Sequence, residues 1–161
     1  PPPYTPPPPR ALAGKMNGVV DPEGDSKDKN GDLKEASAEL KGRDIVVTIT
    51  LYGLPDKSVM YRFWLTSDKK LREPVEVVFN AVLEVVAIQL GSTTVAKLQN
   101  SAEMTDVIKI TVPLGKLPPG YADASSWWLS GFDLLRTKTR DDGKIVLITL
   151  DEMKGGIQVA P

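Results

Sequence analysis

The stretch DIVVTITLYG, residues 44–53, is the clearest indication of the fold class. Apolar residues occupy every second position in it: Ile45, Val47, Ile49 and Leu51. A two-residue period is typical of a β-strand that buries one face. The segment LKEASAEL at 33–40 reads as a partner strand, and KGRD at 41–44 reads as the hairpin turn between them. The chain is therefore expected to contain antiparallel hairpins.

The rest of the chain repeats this signal. VMYRFWLTS at 59–67 alternates in the same way, and VEVVFNAVLEVVAIQL at 75–90 is either one or two strands or an amphipathic helix. Its β-branched content favours strands. Further strands are predicted at TTVAKLQ, VIKITVPL, SWWLSGFDLL, KIVLITL and IQVA. In RDDGK the Asp142-Gly143 pair predicts a hairpin turn.

These segments predict an antiparallel β-sandwich of eight or nine strands, either jelly-roll or immunoglobulin-like. The chain of 161 residues is the size of one domain, assigned to residues 19–161. Residues 1–18 form a proline-rich linker or assembly tail, because seven of the fourteen prolines lie in PPPYTPPPPR. A chain that begins with Pro1 is expected to be a processed product or an excised fragment.

The composition excludes several classes of function. The chain has no cysteine and no histidine, which excludes disulfides, thiolate chemistry, serine–histidine catalysis, histidine zinc sites and ordinary haem binding. A net charge of −1 gives no field that would attract nucleic acid. No apolar run approaches the length of a membrane span. Few Asn and Gln beside many Lys and Glu are compatible with a thermophilic source.

An acidic loop, DPEGDSKDKNGD at 21–32, is the candidate metal site. Calcium binds six to eight oxygen ligands, and turn-rich segments supply them from carboxylates, amides and carbonyls. The predicted ligands are Asp21, Asp25, Asp28, Asn30 and Asp32. The spacing does not fit an EF-hand, since the first and twelfth places fall on Ser26 and Ser37. The alternative is a solvated loop with Asx turns.

Aromatic residues are the candidate contacts for a partner or a glycan: Tyr4, Trp64, Trp127 and Trp128. Indole rings stack on sugar rings when they are exposed. Because neighbouring residues of a strand point to opposite faces, one of Trp127 and Trp128 is expected in the core and the other outside. No acid pair or nucleophile motif stands out, so no catalytic residue is predicted.

The succession VVDPEGDSKDKNGDLKEASAELKGRDIVVTITLYG resembles the opening of the DOMON-like extracellular β-sandwiches, which are related to family-nine carbohydrate-binding modules. KITVPLGKLPPG at 109–120 resembles the strand and turn that these domains place before their last strands. The resemblance implies a jelly-roll-like sandwich of bacteria or archaea, an extracellular setting and a structural calcium near the first loop. It carries over Asp21, Asp25 and Asp32 by position. The lack of histidine departs from the haem-binding members.

Three functions remain open from the sequence. The first is a non-catalytic structural protein of the cell exterior, a subunit of a filament, pilus or surface layer that assembles through its tail and sheet edges, with donated strands. The second is a carbohydrate-binding or adhesion module that binds polysaccharide. The third, a hydrolase acting through carboxylates, has no distinguished acid pair. The first is the principal prediction, with calcium as its candidate ion.

Overall fold

The computed structural model describes residues 18–20, 32–69 and 73–161. Eleven strands account for most of them, and a short 3-10 helix spans Leu114–Lys116. The strands are β1 Gly18–Val20, β2 Leu33–Lys41, β3 Asp44–Leu51, β4 Met60–Ser67, β5 Val75–Asn80, β6 Val85–Leu90, β7 Thr93–Gln99, β8 Ala102–Met104, β9 Ile108–Pro113, β10 Trp127–Thr139 and β11 Ile145–Val159. The segment 75–90 is thus two strands joined by a turn.

Two antiparallel sheets form a β-sandwich. The first has five strands in the order β1-β2-β3-β9-β8, and the second has six in the order β11-β10-β4-β5-β6-β7. The predicted fold class is confirmed. The strand count is higher than expected because two three-residue strands, β1 and β8, are too short to give a periodic pattern. Conversely, KIVLITL and IQVA belong to one strand, β11.

The core lies between the sheets and is built by the alternation seen in the sequence. In β3 the buried residues are the alternate Ile45, Val47, Ile49 and Leu51, and in β4 they are Tyr61, Phe63 and Leu65. The rings of Phe63 and Phe132 stack with their centroids 5.4 Å apart. Burying each such side chain is worth roughly 1.5–3 kcal/mol, so this interface dominates the stability.

A hydrogen bond joins the two sheets at one end of the sandwich. The backbone N–H of Leu33, the first residue of β2, donates to Oδ2 of Asp151 on β11 at 2.7 Å. Both residues are buried. A charge-assisted bond of this kind fixes the start of β2 against the other sheet.

The β10–β11 hairpin extends beyond the sheet to which it belongs. Strand β4 pairs with β10 from Trp127 to Leu135, and Leu135 faces Met60, the first residue of β4. From Arg136 onward β10 pairs with β11 alone in the described residues. We call residues 136–149 the arm, and we call the end of the sandwich from which it projects the arm end. The turn between β5 and β6 lies at this same end, because Asn80 also faces Met60.

Candidate functional site

The acidic loop is represented in the described residues by Asp32 alone. Asp21, Asp25, Asp28 and Asn30 lie outside the described residues, so the predicted ligand set stays a prediction. Asp32 is buried, and its carbonyl oxygen accepts a hydrogen bond from the N–H of Tyr52 at 3.0 Å. No group of three or more acidic side chains placed to hold a metal ion occurs within the described ranges.

Trp127 and Trp128 point to opposite faces of β10, as predicted. Trp127 is buried, and its Nε1 donates to the carbonyl oxygen of Tyr121 at 2.7 Å. The hydroxyl of Tyr121 in turn donates to the carbonyl oxygen of Glu73. Trp127 therefore belongs to the core. Its ring has no exposed face, so it is not a contact for a glycan or a partner. Tyr4 lies outside the described residues.

Trp64 and Trp128 lie together on the outer face of the six-stranded sheet. Trp64 faces Ser130 and Trp128 faces Thr66, which makes the two indoles diagonal neighbours on adjacent strands. Side chains in that relation stand roughly 7–8 Å apart or less. Both are half-buried. The structure thus brings together two of the four predicted contact residues.

Two glycines let these indoles lie flat on the sheet. A Cβ added to Gly156 would stand 2.6 Å from Nε1 of Trp128, and one added to Gly131 would stand 2.7 Å from Cδ1 of Trp64. Gly131 also has a φ of +65°, and it interrupts the pairing of β10 with β4 as a β-bulge. A side chain at either position would displace an indole, so glycine is required by the close approach.

A charged cluster adjoins the two indoles. The guanidinium of Arg62 lies over the Trp64 ring, 5.4 Å from its centroid. Its Nη2 and Nε donate to the two carboxylate oxygens of Asp133 at 2.7 and 3.1 Å, and its Nη1 contacts Glu76 at 3.4 Å. This fork-shaped pair is a strong form of ion pair, and it orients the cation over the ring.

The pKa values in this cluster follow from burial and pairing. Burial raises the pKa of Asp133, and the nearby Glu152 adds to that effect, while Arg62 opposes it. Burial alone would lower the pKa of Arg62, but the hydrogen bonds and charges of Asp133 and Glu76 more than offset this and raise it. Arg62 and Asp133 thus each favour the charged form of the other and oppose the effect of burial.

The arm carries apolar side chains into solvent. Every residue from 137 to 145 is exposed, and Ile145 and Leu147 are 71% and 54% exposed. The strand register places Ile145 and Leu147 on the same face of the ribbon, where Ile145 pairs with Thr139 and Leu147 pairs with Thr137 on β10. At the tip, Arg140 pairs with Asp142 at 2.6 Å, and the N–H of Lys144 donates to Asp142 Oδ1 at 3.0 Å. The predicted RDDGK turn is confirmed.

A loop from the body of the sandwich braces the base of the arm. Nη2 of Arg136 donates to Oδ2 of Asp56 at 3.0 Å, and the Asp56 carboxylate accepts further hydrogen bonds from Ser58. Burial would raise the pKa of Asp56, but the hydrogen bonds from Ser58 and the charge of Arg136 outweigh it and lower that pKa. The arm is thus attached by an ion pair as well as by its two strands.

A cavity of about 230 Å³ opens between the sheets at the arm end. We call it the end cavity. Its lining combines the apolar residues Phe79, Ala81, Ala102 and Met104 with Lys57, Glu84 and Asn100, and polar atoms make up most of its exposed surface. Among the described residues, Glu84 and Asn100 are the two non-glycine residues with positive φ, at 57° and 59°. Residues with such sparsely populated backbone conformations cluster at active sites and ligand-binding sites.

Comparison with known proteins adds no family to this picture. No protein-family model matches the chain, and no curated protein is found to be similar to it. The resemblance to DOMON-like domains therefore stays a prediction. The described residues also contain no helix long and apolar enough to cross a membrane.

The arm and the end cavity were both missed by the reasoning from sequence. IVLITL at 145–150 gave the signal of a strand, and the four consecutive apolar residues 145–148 indicated that both faces of the strand are apolar. The cavity gave no signal, because its lining comes from two strands and three connecting loops or turns that are distant along the chain.

Proposed function

We propose that this chain is a non-catalytic structural protein of the cell exterior that assembles with copies of itself, as a subunit of a filament, pilus or surface layer. The arm is the observation that carries the proposal. A run of exposed apolar residues on a two-stranded ribbon is a defect in an isolated domain, unless an interaction requires it. Such ribbons are only marginally stable in water, and a packed partner stabilises them.

The sheet edges support the same function. Strand β11, with fifteen residues, and strand β7, with seven, end the larger sheet. Long free edges pair readily with strands of other chains, and natural proteins protect them or use them. The smaller sheet ends in the three-residue strands β1 and β8. The larger sheet is therefore the better surface for strand addition.

The extracellular setting rests on the resemblance to DOMON-like sandwiches, and the tail at residues 1–18 is a further candidate for assembly. Calcium in the acidic loop would stabilise the loop that leads into β2. These elements belong to the proposal and are tested with it.

The test is assembly of the purified full chain. Sedimentation velocity over a range of concentrations, and electron microscopy with and without calcium, should show concentration-dependent association and ordered assemblies. A chain that sediments as a monomer at every concentration and forms no assembly in either condition would refute the proposal.

A second function is favoured by one specific observation, the pair Trp64 and Trp128 on the outer face. Two indoles beside the charged groups of Arg62, Glu76 and Asp133 form an amphipathic surface of the kind that binds sugar rings. A carbohydrate-binding module predicts binding on a glycan array that Trp64→Ala and Trp128→Ala abolish. Trp127→Ala is unsuited to this test, since it removes a core residue.

A further inference from the structure

The exposed aliphatic residues are concentrated at the arm end. Besides Ile145 and Leu147, Val82 and Leu83 are 65% and 68% exposed in the turn between β5 and β6. That turn flanks the end cavity, because its neighbours Ala81 and Glu84 line it. One end of the sandwich therefore presents both an apolar projection and a recess lined in part by apolar residues.

The arm of a given molecule does not fill its own end cavity. The arm is formed by β10 and β11, and the strand of the larger sheet that lines the cavity is β5, two strands beyond β10. Strand spacing of about 4.8 Å places them roughly 10–14 Å apart across the sheet. The arm projects along the strand direction, away from the cavity, so the arm and the cavity of one molecule do not meet.

The size of the recess fits an aliphatic side chain. Cavities of about 150 Å³ with apolar walls accept a benzene molecule. The end cavity, at about 230 Å³, has room for one branched side chain on its floor of Phe79, Ala81, Ala102 and Met104. Ile145 is more exposed than Leu147 and lies nearer to the turn, so it is the aliphatic side chain of the arm that reaches further.

Charges on the two surfaces are complementary. Lys144 and Asp141 flank the tip of the arm beside Ile145, and Glu84 and Lys57 stand at the rim of the cavity. None of these four side chains has an ion pair within the described part of the chain. Each surface therefore offers one cation and one anion to the other, which favours a fixed register.

We propose that a second copy of this chain is the partner of the arm: Ile145 of each copy enters the end cavity of the other, and Leu147 packs on Val82 and Leu83. This inference rests on the proposed self-assembly and specifies its contact. Because projection and recess lie at the same end, a twofold rotation satisfies both at once, and the contact closes as a dimer. A larger assembly then requires a second contact between copies, and the sheet edges and the tail are the candidates for it.

The first test uses substitutions in the full chain. Ile145→Thr keeps a β-branched residue on the arm, and Ala102→Phe fills the recess; each should weaken dimerisation about 30-fold or more, as a central interface residue does. Val46→Thr is the matched control, since Val46 is a half-exposed aliphatic residue on β3, at the centre of the smaller sheet and away from both the sheet edges and the arm end. It should leave the sedimentation profile unchanged. Circular dichroism verifies that each variant is folded.

The second test uses cysteines, which the chain lacks. An equimolar mixture of Ile145→Cys and Ala102→Cys should form a covalent dimer with a short thiol cross-linker, and neither variant alone should do so. The double variant should stop at a dimer. A ladder of higher species would mean a head-to-tail contact and would overturn the twofold arrangement.

The outcomes separate this inference from the proposed function. If the parent chain associates but Ile145→Thr and Ala102→Phe associate equally well, the arm-to-cavity contact is wrong and self-assembly stands. If removal of residues 1–17 alone abolishes association, the tail is the contact and the inference is again wrong. If the parent chain is monomeric at every concentration, both this inference and the proposed function are wrong.

Discussion

Replacing Gly156 by alanine gives a quantitative test of how the outer face is packed. The added Cβ would lie 2.6 Å from Cε2 and Nε1 of Trp128 and 2.7 Å from Cζ2, so the contact involves the rigid middle of the indole. Real carbon contacts are about 3.5–4.0 Å, and Trp128 must therefore tilt off the sheet or the strands must separate. Overpacking of this kind costs about 1–3 kcal/mol.

A second effect acts in the opposite direction. Alanine restricts the unfolded chain more than glycine does, which stabilises the folded state by about 0.4–1 kcal/mol where the backbone permits. The net expectation for Gly156→Ala is a loss of about 1–2 kcal/mol in the free energy of unfolding. Gly115→Ala is the matched control, because nothing lies within 4 Å of its added Cβ. That variant should be stabilised slightly.

The assay is urea unfolding followed by far-ultraviolet circular dichroism, with the midpoint shifting and the slope unchanged. The decisive comparison repeats Gly156→Ala in a Trp128→Ala background, where the added Cβ meets no indole. There the substitution should be neutral or stabilising, which gives a coupling energy of about 2 kcal/mol between the two sites. An equal loss in both backgrounds would show that the indole does not lie on Gly156, and the reasoning would fail.

Three further predictions concern charge. Arg62→Met leaves the buried carboxylate of Asp133 without its partner and should cost about 2–3 kcal/mol at pH 7, with a smaller loss in acid once Asp133 is protonated; urea midpoints at both pH values measure this. The pKa of Asp56 is lowered in the fold, so its contribution is complete above its unfolded value near 3.8 and is lost as pH falls through the lower folded value. Asp56→Asn should therefore flatten the acid side of the stability curve, and an unaltered curve would contradict the assignment. If the acidic loop at 21–32 binds calcium, EDTA should lower the melting temperature, since an excess of about a hundredfold over Kd is worth about 2.7 kcal/mol.

The sequence predicted that Trp127 and Trp128 point to opposite faces of their strand. It did not predict that Trp64 and Trp128 are neighbours. Strict alternation placed Trp127 and Trp128 on opposite faces of one strand, and it placed Trp64 opposite Tyr61 and Phe63. Whether two outward residues become neighbours depends on which strands adjoin and in what register. Strands β4 and β10 are separated by some sixty residues of chain, and no hairpin turn sets their alignment.

The bulge at Gly131 shows a second limit of reasoning from periodicity. An unbroken alternation from Trp127 would put Asp133 in the core and Phe132 outside. The extra residue at Gly131 reverses the phase, so Phe132 and Leu134 face inward and Asp133 meets Arg62 on the outer face. Gly131 was visible in the sequence, but a glycine inside a strand can mark a bulge, a bend or a close approach. The indole of Trp64, which requires a glycine here, lies on another strand, so the sequence alone did not predict the bulge.

The arm shows how local and global signals can disagree within one strand. A run of consecutive apolar residues such as IVLI at 145–148 usually marks a strand that is covered on both faces. Here β4 begins at Met60 and does not pair beyond Leu135, so Ile145 and Leu147 on one face of the ribbon are exposed and Val146 and Ile148 on the other are only half-buried. Natural sequences tend to agree with their fold at every level, so a segment that is patterned for burial and held in solvent indicates a missing partner. The sandwich as described leaves Ile145 and Leu147 exposed, and the assembly proposed above would cover them.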